Sequence, residues 1–252
     1  MTRLLAAALV ALAAGHAAAA DLRICVEGAY PPFSEVTPDG NLVGFDIDIA
    51  EALCSEMGKS CEMVQTEWDG IIPALLERKC DAIVASMSIT PDRQKVIDFT
   101  KKYYNTPAKF AAKEGAGYEA TAEGMAGKTV GVQRGTIHHD FMEGEFPEAE
   151  LKLYGTQDEA YLDLQSGRVD AIMADSVVIA EGFLKTEAGA GFAFFGPGFS
   201  VPEYHGEGVG IGLRKDDDDL EAAFNAAIDA IRGNGTYEAI QGKYFDFDIY
   251  GG

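Results

Sequence analysis

Lys79-Cys80-Asp81-Ala82-Ile83-Val84-Ala85-Ser86 recurs later in the chain as Arg168-Val169-Asp170-Ala171-Ile172-Met173-Ala174-Asp175. Each copy follows a helical pattern, begins with a basic residue, continues through Asp-Ala-Ile and ends on a polar residue. A short apolar run bounded in this way predicts a strand buried on both faces of a parallel sheet. Two copies predict two similar α/β units. Ligands of open α/β sheets sit outside the carboxyl ends of the strands. Two facing units would therefore set Ser86 and Asp175 across one cleft.

The pattern extends in both directions. Leu22–Val26, Cys61–Gln65 and 81–86 read as strands, with helices over about 46–57 and 71–77. Asp46 is in position to cap the first of these helices. Thr90-Pro91 predicts another, with Thr as N-cap, Pro at the first helical position and Arg93 on its first turn. After Tyr104 the alternation restarts. Strands are expected over 128–133, 151–154 and 169–175, and helices from Ile137, over 157–165 and on to about Leu184. Residues 209–213 return as a strand, and helices near 218–231 and 237–243 close the chain. Alternation of this kind implies parallel strands joined by crossover helices.

Residues 1–20, MTRLLAAALVALAAGHAAAA, place one Arg before an apolar run that ends in small residues. That is the pattern of a secretory signal peptide, with cleavage expected after Ala20. The run is too short to span a bilayer, so the mature chain is expected to be exported and not membrane-embedded. A net charge of −21 argues against nucleic acid and anionic membranes as partners. In an oxidising compartment Cys54 and Cys61, close in sequence, are expected to form a disulfide. Zinc ligation is disfavoured there by the absence of a CxxC pair and of a nearby His. Cys25 and Cys80 sit at or beside apolar strands, and a second bridge or two buried thiols both remain open.

The glycines of 206–212 precede a strand and do not make a dinucleotide loop. Asp216–Asp219 lacks the spacing of a calcium loop. No metal or cofactor is expected, and no Ser-His-Asp or Cys-His arrangement suggests an enzyme. Several charged and aromatic residues near the expected cleft have chemistry for a small ligand, with a surface arginine at Arg93 and core packing for the aromatics as the alternative readings. Arg93 offers a guanidinium fork to a carboxylate, Ser88 stands just before the helix expected from Thr90, and Thr136 precedes a second helix start across the cleft. Asp175 can hold an ammonium and cap the helix that follows, and Ser86 can add a hydroxyl or carbonyl. Tyr30 and Trp68 read as aromatic walls for an alkyl stem or cation.

Nine ordered motifs now carry a resemblance. They are Glu27-Gly-Ala-Tyr-Pro-Pro-Phe33, Gly44-Phe-Asp-Ile-Asp48, Trp68-Asp-Gly-Ile-Ile-Pro73, Ser86-Met-Ser-Ile-Thr-Pro-Asp-Arg93, Gly131-Val-Gln-Arg-Gly-Thr136, Gly167-Arg-Val-Asp-Ala171, Glu181-Gly-Phe-Leu184, Gly210-Ile-Gly-Leu-Arg-Lys215 and Tyr244-Phe-Asp-Phe-Asp-Ile-Tyr-Gly251. The chain resembles the periplasmic amino-acid-binding proteins of polar-amino-acid ABC transporters. Within that family it is nearest the lysine/arginine/ornithine-, arginine/ornithine- and histidine-binding members.

The resemblance implies the type II periplasmic binding protein fold: two α/β lobes, the first discontinuous, joined by two hinge strands. Residues 21–105 with 207–252 would form lobe 1 and 106–206 lobe 2, with hinges near 104–108 and 203–208. It implies a monomer that closes on a small amino acid and hands it to an inner-membrane permease. It also makes Glu27 the acid that selects a cationic side chain. Ala85 stands where the lysine/arginine/ornithine binders have a serine, and Ile137 where some relatives have a threonine, so that only the backbone of Ile137 would serve. His138 and His139 read as exposed polar residues, with His138 counted at the cleft edge. Opine and histidine binding, a sensory role and a dehydratase on the same fold are the alternatives.

Overall fold

The computed structural model describes residues 20–251. The expected signal peptide, 1–19, lies outside them. Among the described residues no helix is long and apolar enough to cross a membrane.

Two five-stranded sheets form the frames of two lobes. The first runs Cys61–Gln65, Leu22–Val26, Ala82–Ile83, Gly212–Leu213, Asp98–Phe99, and the second Glu150–Tyr154, Thr129–Gln133, Ala171–Asp175, Ala108–Lys113, Phe192–Phe199. The two echo segments occupy the same third place in their sheets. A three-stranded sheet of Ala29–Tyr30, Ser34–Val36 and Leu42–Val43 lies beside the first.

The first three strands of each sheet are parallel, as the alternation predicts. The last two pair antiparallel, which corrects the all-parallel expectation. Ala108–Lys113 and Gly212–Leu213 follow the crossings between lobes, so no crossover helix turns them parallel. The chain leaves the first sheet, builds the second and returns, so the first lobe is discontinuous. The crossing segments meet where Tyr104 and Val209 bridge, with the Val209 N–H donating to the Tyr104 carbonyl at 2.9 Å. The second hinge is shorter than expected, because Pro202–His205 is a helical turn that begins with proline.

Two local expectations are corrected. The helix Phe45–Glu56 is entered through Gly44, and Asp46 is not its cap. Gly44 has φ +130°, and a Cβ there would lie 2.3 Å from the Phe33 carbonyl oxygen, so no side chain fits. Asp46, freed from capping, turns inward. Thr90-Pro91 opens only a 3-10 turn, Arg93–Lys95, although the Thr90 hydroxyl does accept from the Arg93 N–H at 3.3 Å. Ile97 is fully buried and draws the chain into the strand Asp98–Phe99 before a helix can grow.

The C-terminal helices Asp218–Gly233 and Thr236–Tyr244 pack on Phe45–Glu56 and return the chain end to the first lobe. Phe33, Phe45, Tyr103, Tyr104 and Phe224 are buried there, each contributing about 2 kcal/mol. Both cysteine pairs are disulfides. Cys54–Cys61 joins the end of a helix to the next strand, and Cys25–Cys80 ties the strand leading to Glu27 to the start of the echo segment leading to Ser86.

Candidate functional site

The carboxyl ends of both sheets face one cleft, of about 430 Å³ with its open mouth included. All eleven residues singled out from the sequence line it. Tyr104, Gln133 and Val209 line it as well and were not foreseen. Among the described residues no group of three or more His, Cys, Asp or Glu is placed to hold a metal.

The first lobe supplies a guanidinium held from several sides. Arg93 Nη1 donates to the Ser88 carbonyl at 3.0 Å, and its guanidinium lies 5.2 Å over the Trp68 ring. Burial lowers its pKa to about 10, and the Asp140 carboxylate opposes that drop. The lobes meet here, since Trp68 Nε1 donates to the Gly135 carbonyl at 3.1 Å and Arg93 Nη2 reaches the same oxygen at 3.5 Å. An exposed ion pair, Arg134 Nε to Asp69 at 3.0 Å, crosses beside them.

On the second lobe Thr136 caps the helix Ile137–Glu145. Its hydroxyl accepts from the His139 N–H and donates to the Gln133 carbonyl at 2.8 Å. The hydroxyl is thus locally engaged, and the helix start offers its backbone N–H groups to the cleft. His138 is buried, not exposed, which corrects the sequence reading. Its ring packs 6.3 Å from His205. Burial pushes its pKa down to about 3, and the neighbouring His205 and Arg93 push the same way, so it is neutral.

Asp175 ends its strand with two duties. Its carboxylate accepts from the N–H groups of Val177 at 2.7 Å and Val178 at 3.3 Å, and from the Thr106 hydroxyl. Burial raises its pKa to about 6, and those same hydrogen bonds hold it lower than burial alone would.

Ser86 has φ +52°, a conformation unusual for a residue with a side chain. Its hydroxyl donates to the fully buried Asp46 at 2.9 Å, and the Tyr103 hydroxyl donates to the other oxygen at 2.8 Å. Asp46 therefore anchors the floor of the cleft. Ala85 beside it is buried and presents no polar side-chain atom.

Glu27 lies at the end of the strand tied by Cys25, beside buried Tyr30. Its Oε1 accepts from Gln133 Nε2 of the second lobe at 2.6 Å. Burial raises its pKa to about 7, Gln133 pulls it down, and the carboxylates of Asp46, Asp158 and Asp69 push it up. A cation placed against it would restore the ionised form.

The profile of the bacterial extracellular solute-binding proteins, family 3, matches residues 22–247. An L-arginine-binding protein of Pseudomonas aeruginosa is 53% identical, over 91% of this chain and 90% of its own. A lysine/arginine/ornithine-binding periplasmic protein of Escherichia coli K12 is 40% identical, over 91% and 89%. Among solved structures, a Salmonella typhimurium periplasmic binding protein described for high arginine specificity matches with a TM-score of 0.83 at 33% identity, covering 89% of this chain and 98% of that one.

Proposed function

The chain belongs to the bacterial extracellular solute-binding proteins of family 3, and from that premise we propose that it captures a basic amino acid, arginine, ornithine or lysine, by closing its lobes and delivers it to the permease of an ABC importer. One observation carries the reading. The cleft holds an acid at the end of each sheet's strands, Glu27 and Asp175, together with one guanidinium, Arg93. A dibasic amino acid has two cations and one anion, so each charge finds an opposite one. Arg93 and the helix start after Thr136 take the α-carboxylate, and Ser88 supports them. Asp175 takes the α-ammonium, and Ser86 adds a contact. Tyr30 and Trp68 enclose the alkyl stem, and Glu27 faces the side-chain cation. Ala85, Ile137 and His138 complete the walls.

Lobe 1 is 21–105 with 207–252, and lobe 2 is 106–206. Ligand contacts from both lobes stabilise the closed form. The mature protein begins after Ala20, works in the periplasm as a monomer and binds its ligand without turning it over. Refolding removes copurified ligand. Calorimetry with arginine, ornithine, lysine, histidine, octopine and glutamine should then show tight binding of the basic amino acids and none of glutamine. Silence toward all six, or turnover of prephenate or arogenate, would overturn the proposal.

A further inference from the structure

Gln133 is the last residue of the strand Thr129–Gln133, between the two other parallel strands of its sheet. It is 2% exposed and opens directly onto the cleft. The geometry fixes which way its amide faces. One end lies 3.1 Å from the Gly155 carbonyl oxygen, which can only accept, so that end is the NH2 group. The same Nε2 donates to Glu27 Oε1. The amide oxygen points elsewhere, and among the described residues no group donates to it. Among the described residues Glu27 likewise keeps its second oxygen without a protein donor. The two residues of this hydrogen bond come from opposite lobes and both line the cleft, and each keeps one acceptor, Gln133 Oε1 and Glu27 Oε2, that no described protein group occupies.

We infer that Gln133 is a specificity residue that makes this cleft select a guanidinium over an ammonium. The inference rests on the reading that the cleft takes a basic amino acid. Acceptors on two residues need donors spread over two nitrogens. A guanidinium is a planar fork with five donors, whereas an ammonium is a compact, strongly hydrated point charge. Glu27 alone satisfies either cation, and Gln133 adds an acceptor that the fork can reach together with Glu27. Because Gln133 comes from the second lobe, its contact exists only when the lobes are together. Arginine therefore gains closing free energy that ornithine and lysine do not.

The test is calorimetry of arginine, ornithine and lysine on the refolded wild-type protein and on Gln133→Leu and Gln133→Met, with thermal unfolding as the control for folding. Wild type should bind arginine at least tenfold more tightly than ornithine or lysine. Each substitution should weaken arginine at least tenfold and the other two less than threefold, so that selectivity collapses. Equal losses for all three ligands would make Gln133 a general closing contact and overturn the inference. Ornithine binding as tight as arginine in the wild type would overturn it even if neither variant folds. Wild-type silence toward all three would instead refute the basic-amino-acid reading itself, an outcome no variant result can mimic.

Discussion

Replacing Glu27 with Gln removes one charge and leaves the shape of the cleft almost unchanged. Gln133 Nε2 retains an acceptor, because the new amide oxygen can take its hydrogen bond. The ligand cation loses its anion. Truncating one side of a buried, hydrogen-bonded charge pair costs about 2–5 kcal/mol, or roughly a 30- to 4,000-fold loss of arginine affinity. Citrulline, the neutral isostere of arginine, should lose far less. Stability should move the other way. Burial raises the Glu27 pKa from 4.5 to about 7, so above pH 7 the carboxylate destabilises the fold by up to about 3 kcal/mol. Below about pH 4.5 the group is protonated in both folded and unfolded chains and has no effect. Between these limits the unfolded chain ionises first, and stability falls as pH rises. The variant should therefore be more stable than wild type at pH 8 and equal at pH 4. Calorimetry with both ligands, and thermal unfolding across that range, measure both effects. An arginine affinity within threefold of wild type would refute the assignment, as would equal losses for arginine and citrulline.

Arg93→Lys keeps the charge but loses the fork and its seat over Trp68. All ligands sharing the α-carboxylate should weaken together by about 1.5–3 kcal/mol in calorimetric titrations. Asp46→Asn removes an acid whose burial raises its pKa to about 7, so the stability that wild type loses as pH rises from about 4 to 7 should be retained, as read by thermal unfolding. Cys25→Ser with Cys80→Ser opens a bridge between residues 55 apart and should cost about 2–4 kcal/mol in denaturant unfolding with the fold retained.

The pairing of the echo segments was readable because both strands are short, buried and preceded by the same Asp, and the structure seats both at the third place of a sheet. The residues lining the cleft were readable where the chemistry was charged or aromatic, as at Arg93, Asp175, Glu27 and Trp68. Gln133 was missed because a glutamine ending an apolar strand carries no pattern of its own. Its role depends on Glu27 and Gly155, which only the folded chain brings near. Asp46 was misplaced because an acid at a helix start reads as a cap, and only the close passage of Phe33 past Gly44 shows that the helix begins one residue earlier. The short turn after Thr90 was overread for a similar reason. Its cap is present, but the pull of Ile97 into the core is a tertiary effect. His138 looked exposed because the sequence does not show that His205, far along the chain, packs against it.

The two lobes share one backbone oxygen, the Gly135 carbonyl, which receives both Trp68 and Arg93. A main-chain acceptor survives any exchange of its own side chain, and Gly135 is held at φ +68°, where other residues are rarely accommodated. The acceptor of this latch is thus written in the part of the polymer that mutation alters least, while its donors are the side chains of Trp68 and Arg93. On the proposed reading, ligand preference resides by contrast in exchangeable side chains at the other end of the cleft, Glu27 and Gln133. A lineage could revise what it captures, one substitution at a time, while still being able to shut.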